Sequence, residues 1–109
     1  MANQKHVMRR ILPTEYKRDI AFDVDGTLIQ KTSTNLDIPR YEIIQILFAL
    51  YDLGHEIYVW SGSGVDYAER WTEKLGLEEM VTVIAKGSRA MDICFDDELC
   101  ELGKVNIAV

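Results

Sequence analysis

At 109 residues and 48% apolar, the chain has the length and the content for one hydrophobic core, which excludes a disordered tail. No apolar run approaches the roughly 20 residues that span a bilayer, and the first residues carry no apolar leader, so a cytoplasmic protein without membrane contact is expected. The net charge of −6 divides into +4 over residues 1–18 and −10 over the rest. An acidic body argues against nucleic-acid binding by the domain as a whole. Only the basic N-terminal arm (Lys5, Arg9, Arg10, Lys17, Arg18) offers a polyanion site, and such arms are more often simply solvated.

Residues 1–18 show no sustained periodicity and are broken by Pro13, so they read as an arm; residues 19–109 read as a single domain. The first strand is predicted over 19–24, apolar from Ile20 to Phe22 and closed by Asp23, Asp25 and Gly26-Thr27. Residues 26–38, rich in Thr, Ser and Asn, read as a surface loop or small hairpin. A helix follows over 39–53, with Pro39 as its first residue, Asp37 near its cap and Gly54 as its stop. Its apolar residues cover nearly every side, leaving Glu42, Gln45 and Asp52 as the polar stripe. Three coverings suit such a helix: the arm, through Val7, Met8, Ile11 and Leu12; the 27–38 loop; or a second copy of the chain. We expect a homodimer, because a second copy would also wall an open site.

The second strand spans 56–60 and ends in Ser61-Gly62-Ser63-Gly64. Val65, Ala68, Trp71, Thr72 and Leu75 then recur at helical spacing, and Gly76 closes that helix. A third strand over 80–85 leads to Lys86-Gly87, and a short link over 88–92 leads to a strand at 93–95 ending in Asp96-Asp97. After one turn of helix, 105–109 makes the last strand. Strands alternating with helices or short crossovers imply roughly five parallel strands in an α/β, three-layer Rossmann-like domain without a cap.

Every polar candidate falls just after an apolar strand: Asp23 and Asp25, Ser61, Lys86, Asp96 and Asp97. An open parallel sheet places its ligand crevice at those carboxyl ends. Carboxylates crowded together repel and call for a cation or a shared proton. Singly, each motif has a plainer reading: a turn, a flexible loop, a surface lysine, a solvated charge run. Jointly, in this order and at strand ends, they point to a site.

Asp-x-Asp-Gly-Thr after a hydrophobic strand, then Ser61, Lys86 and the pair Asp96-Asp97, resembles the haloacid dehalogenase (HAD) superfamily, chiefly magnesium-dependent phosphohydrolases. The resemblance covers residues 19–97 and implies the HAD-like fold in a minimal, capless form. It further implies that Asp23 is the nucleophile of a phosphatase, forming an aspartyl-phosphate, and that Asp25 is the general acid and base. Asp23, the backbone carbonyl of Asp25, Asp96 and Asp97 would hold Mg²⁺. Ser61, Gly62 and Lys86 would bind the phosphate of a small phosphorylated substrate, Lys86 counting also as catalytic. Thr27 is expected to tie the loop through its hydroxyl. The link from Lys86 to Asp96 is shorter than is usual in that family, and Arg89 is the nearby substitute for the cation.

Two other readings compete. One is a receiver-like phospho-acceptor domain, disfavoured because there an acid pair opens the site rather than closing it. The other is a catalytically weak binding or assembly module. Trp60, Trp71, Tyr41, Tyr51, Tyr58 and Tyr67 read as core or rim, Cys94 as a reduced core residue, and His6 and His55 as having no evident partners.

Overall fold

Ile20, Ala21 and Phe22 are apolar in succession because β1 (Asp19–Asp23) lies at the centre of a sheet and is covered on both faces. The computed structural model describes residues 9–31 and 37–109. Expectations that fall on residues 1–8 and 32–36, including packing by Val7 and Met8 and any role for His6, lie outside the described residues.

After β1 come a short antiparallel hairpin, β2 (Ile29–Gln30) with β3 (Ile38–Pro39), then α1 (Tyr41–Asp52) and β4 (Glu56–Trp60). α2 (Val65–Lys74), β5 (Thr82–Val83), β6 (Met91–Asp96) and β7 (Gly103–Ala108) follow. Five strands form one sheet in the order β5-β4-β1-β6-β7, and every pairing in it is parallel. This is the small Rossmann-like α/β architecture expected.

Both helical crossovers, β1 to β4 and β4 to β5, step the same way along the sheet, so right-handed connections put both helices on one face. The packing agrees: Ile43, Ile44 and Leu47 of α1 and Ala68 of α2 share a core cluster with Ile20, Phe22, Ile57 and Val59. Phe22 and Phe95 stack there at 4.6 Å between ring centres. On the other face Ala21, Tyr58, Trp60, Met91 and Cys94 are buried beneath Ile84 and Leu102. The third layer is therefore made of two links, 84–90 and 97–102, rather than of helices. Burial pushes the Cys94 thiol up to about 11, helped by Cys100 and Asp96, which suits an inert core residue.

Several boundaries differ from the sequence reading. Pro39 pairs with Ile29 in β3, and the helix begins at Tyr41 with Arg40 at its cap. Proline suits the first turn of a helix and an edge strand equally well, and here the strand takes it. Thr27, Leu28 and Ile29 are fully buried, so the start of the 26–38 segment is core rather than surface. β5 pairs only at Thr82–Val83, shorter than 80–85, because as an edge strand it has β4 as its one neighbour. β6 begins at Met91, ahead of the 93–95 expected, and no helical turn precedes β7.

The arm is docked where it is described. Arg9 lies over the Tyr51 ring at 4.0 Å and donates to the carbonyls of Tyr51 and His55, while the Arg10 amide donates to the Asp52 carbonyl at 2.8 Å. A cation and two kinds of donor thus satisfy carbonyls at the C-terminus of α1, where the helix dipole favours positive charge. The Arg10 carbonyl and Leu12 crowd Gly54 so closely that a Cβ there would sit 2.6 Å from that carbonyl. Among the described residues, no helix is long and apolar enough to cross a membrane.

Candidate active site

The chain runs from β1 to one side of the sheet and then returns to fill the other, so the strand order reverses between β1 and β6. Loops diverge at such a switch point and leave a crevice outside the carboxyl ends of the strands. The register decides what lines it. Asp23 pairs with Trp60, and Phe22 with Phe95, so Asp23 and Asp96 come level and Ser61 follows one residue beyond, at the ends of three adjacent strands. A cavity of about 320 Å³ there is lined by Asp23, Asp25, Ser61, Gly62, Lys86, Asp96 and Asp97, together with Lys31, Ser63 and Glu98. All the candidate site residues read from the sequence meet in this one crevice.

Asp23 and Asp96 are buried and carry the strand parity of Ala21, Tyr58 and Cys94, away from the helices. The short link that covers that face brings Lys86 between them, its Nζ 3.2 Å from Asp23 Oδ1 and 2.9 Å from Asp96 Oδ2. The near-absence of a helix between Lys86 and Asp96 therefore does not remove the lysine from the site. Arg89 is elsewhere: it pairs with Asp19 at 3.0 Å, at the opposite end of β1, and stacks on Tyr58.

Burial pushes the Asp23 carboxyl up to about 6, and the charges of Asp96 and Asp97 add to the rise against the opposing pull of Lys86. Asp96 is held below the usual carboxylate range in spite of its burial, because the Glu98 amide (3.0 Å) and Lys86 both donate to it. Asp97 is pushed up by burial and by its neighbour Asp96. Burial works against the charge on Lys86, but the two carboxylates outweigh it and hold the ammonium firmly protonated.

One carboxylate oxygen each from Asp23, Asp96 and Asp97 fall within 4.8 Å of one another. Three hard anionic oxygens at that spacing, neutralised only in part by one lysine, fit a small divalent cation chemically. Gly26 makes the cluster possible. Its φ is +81°, and a Cβ there would sit 2.3 Å from Asp97 Oδ2, so only glycine lets the Asp97 side chain lie against the β1 loop.

Ser61 is buried, and its Oγ accepts from the Ser63 amide at 3.0 Å. That bond leaves the Ser61 hydroxyl proton to donate elsewhere. Gly62 stands at the open mouth, where a Cβ would meet nothing within 4 Å.

Asp25 departs from Asp23 in direction. Beyond the strand end it turns toward α2, where the Tyr67 hydroxyl donates to Oδ1 at 2.6 Å, and Lys31 approaches Oδ2 at 3.5 Å. Thr27 does not tie the loop as expected: its Oγ1 is buried and finds no hydrogen-bond partner among the described residues. Arg40 ties the loop instead, donating to the Gly26 carbonyl at 2.7 Å and the Val109 carbonyl at 3.2 Å. His55, read as partnerless, accepts from the Arg18 amide through Nδ1 at 3.1 Å.

Sequence reasoning missed Tyr67, Lys31 and Arg40. The signal available for Tyr67 was its place in the first turn of the helix that opens after the Ser-Gly-Ser-Gly loop, where side chains slant back toward the strand ends. Compared with family models, with curated proteins and with solved structures, the chain matches none, so the chemistry of the crevice is argued from its own residues.

Proposed function

We propose that the chain is a Mg²⁺-dependent phosphohydrolase of the HAD type, cleaving a phosphomonoester through an aspartyl-phosphate on Asp23. The observation that carries the reading is the meeting of Asp23, Ser61, Asp96 and Asp97, from neighbouring strand ends, with Lys86 of the 84–90 link around one crevice. Asp23, the backbone carbonyl of Asp25, Asp96 and Asp97 would hold the ion, which when bound supplies positive charge against the phosphoryl oxygens.

The chain's own groups divide the remaining work. Asp23 forms the bond to phosphorus as the bond to the leaving oxygen breaks. Asp25 gives that oxygen its proton, and the alcohol departs. Asp25 then takes a proton from water as the water attacks phosphorus, the bond to Asp23 breaks, and inorganic phosphate leaves. Ser61 donates its hydroxyl to a phosphoryl oxygen, and Lys86 offsets charge on the nucleophile and on the phosphoryl group together.

One observation favours a second reading. Lys86 already bridges Asp23 and Asp96. A binding or assembly module without turnover would use the lysine as a permanent counter-ion. A turnover assay on an aryl phosphate with and without Mg²⁺ separates the two. Hydrolysis that needs the ion and is abolished in a folded Asp23→Asn variant supports the phosphatase. Hydrolysis near the wild-type rate by that variant would sink the covalent mechanism, and an inert wild-type protein would favour the module.

A further inference from the structure

Two carboxylates two residues apart in one loop meet different surroundings. Asp23 faces Lys86 and Asp96, whereas Asp25 is reached by α2 and by the β2 end of the hairpin. The Tyr67 hydroxyl stands 2.6 Å from Asp25 Oδ1, within the short range of hydrogen bonds to an ionised acceptor. Tyr67 is a donor at any working pH: burial and the bond to Asp25 push its hydroxyl up to about 12. Among the described residues, Lys31 at 3.5 Å is the partner of Asp25 Oδ2, and it is a solvent-exposed cation on a long stem that also lines the cavity.

From this we infer that Tyr67 is a positioning residue for the general acid: it holds Asp25 Oδ1, so that Oδ2, on the Lys31 side, carries the proton delivered to the leaving group. The inference rests on the phosphohydrolase reading and deepens it. A carboxyl group free to turn about its last torsion presents either oxygen to the substrate. A phenol bonded to one oxygen opposes that turn, and because the unprotonated oxygen of a carboxylic acid is its better acceptor, the donated bond favours the proton on the other oxygen. The transfer is then specific in its atoms. The bond from Asp23 to phosphorus forms, the bond from phosphorus to the leaving oxygen breaks, and the proton passes from Asp25 Oδ2 to that oxygen. In the second half Oδ2 recovers a proton from the attacking water, and the bond from Asp23 to phosphorus breaks. The first step needs Lys31 to swing off Oδ2, which its exposure permits.

The test is the dependence of kcat/KM on the leaving group in Tyr67→Phe. That ratio covers only the steps through departure of the alcohol, so the later attack by water does not enter it. Dinitrophenyl phosphate has a leaving group that departs without a proton; glycerol phosphate has one that does not. Tyr67→Phe should keep kcat/KM within about twofold on the first and lose about tenfold or more on the second, out of the about 10²–10⁴-fold a placed general acid supplies. In an Asp25→Asn background, Tyr67→Phe should add no further loss on glycerol phosphate. Equal losses on both substrates, or full additivity with Asp25→Asn, would assign Tyr67 a merely structural role and overturn the inference while leaving the phosphohydrolase reading intact. A wild-type protein inert toward both substrates in Mg²⁺ overturns the reading and the inference with it.

Discussion

Thr27 sits inside the Asp-x-Asp-Gly-Thr motif, yet its hydroxyl is buried without a partner among the described residues. An unpaired buried hydroxyl costs about 1–3 kcal/mol relative to a satisfied one. Valine has the same shape without the hydroxyl, so Thr27→Val should raise the melting temperature, by up to about 4–8 °C per kcal/mol recovered in a domain of this size. Thermal unfolding without metal measures it, and a clear fall would show that the hydroxyl has a partner. The contrast with Asp23, Lys86 and Asp96 explains what was legible at this scale. Asp23 and Asp96 are fixed by strand ends and Lys86 by the short link that follows β5, all three close behind apolar runs that the sequence reveals. The surroundings of Thr27, and the partner of Tyr67, depend on where side chains of distant elements land. No local pattern encodes that.

Elements were legible where burial imposes a period and less so where two rules compete. β1 and β4 announced themselves as apolar runs, and α2 by its helical spacing, because each has a face the sheet must cover. Pro39 obeyed either of two rules, and the edge strand β5 is too weakly held to extend over its whole apolar run. The apolar girth of α1 resolves into distinct uses. Ile43, Ile44 and Leu47 enter the core, Tyr51 meets Arg9 of the arm, and Ile46 (38% exposed) and Leu53 (45%) stay open to solvent. Ile46, Ala49 and Leu53 follow a spacing of three and then four, the stripe along which two helices pair. The homodimer proposed from the sequence has that stripe to use. Light scattering at micromolar concentration should then give twice the 12.5 kDa of one chain, and Ile46→Glu should return it to a single copy. A single-copy mass that persists on concentration rules the dimer out and leaves the stripe as ordinary surface.

At the scale of the whole molecule, the crevice sets charge repulsion against the stability of the sheet that presents it. Asp23 ordinarily titrates at 3.8 and is raised to about 6 by burial and by Asp96 and Asp97. A raised carboxyl binds its proton more tightly in the folded state than in the unfolded one. Its ionisation therefore costs stability, fully above pH 6 and not at all below the ordinary value, so this group's contribution falls as pH rises between the two. A divalent cation bound to the ionised cluster of the folded chain would reverse that cost. At about one hundred times its dissociation constant, Mg²⁺ should add about 2.7 kcal/mol. For a domain of this size that is about 10–20 °C in melting temperature. At pH 5 a proton competes for Asp23, and one unit below its pKa the apparent affinity drops about tenfold, or about 1.4 kcal/mol. Thermal melts with and without Mg²⁺ at pH 7.5 and pH 5 should therefore show a large shift at the first and a much reduced one at the second. Asp23→Asn, which removes the buried charge, should melt above the wild type without metal and lose most of the Mg²⁺ response. A Mg²⁺ shift of equal size at both pH values would place the ion away from Asp23. No shift at millimolar Mg²⁺ would mean that Lys86 is the only cation the cluster accepts.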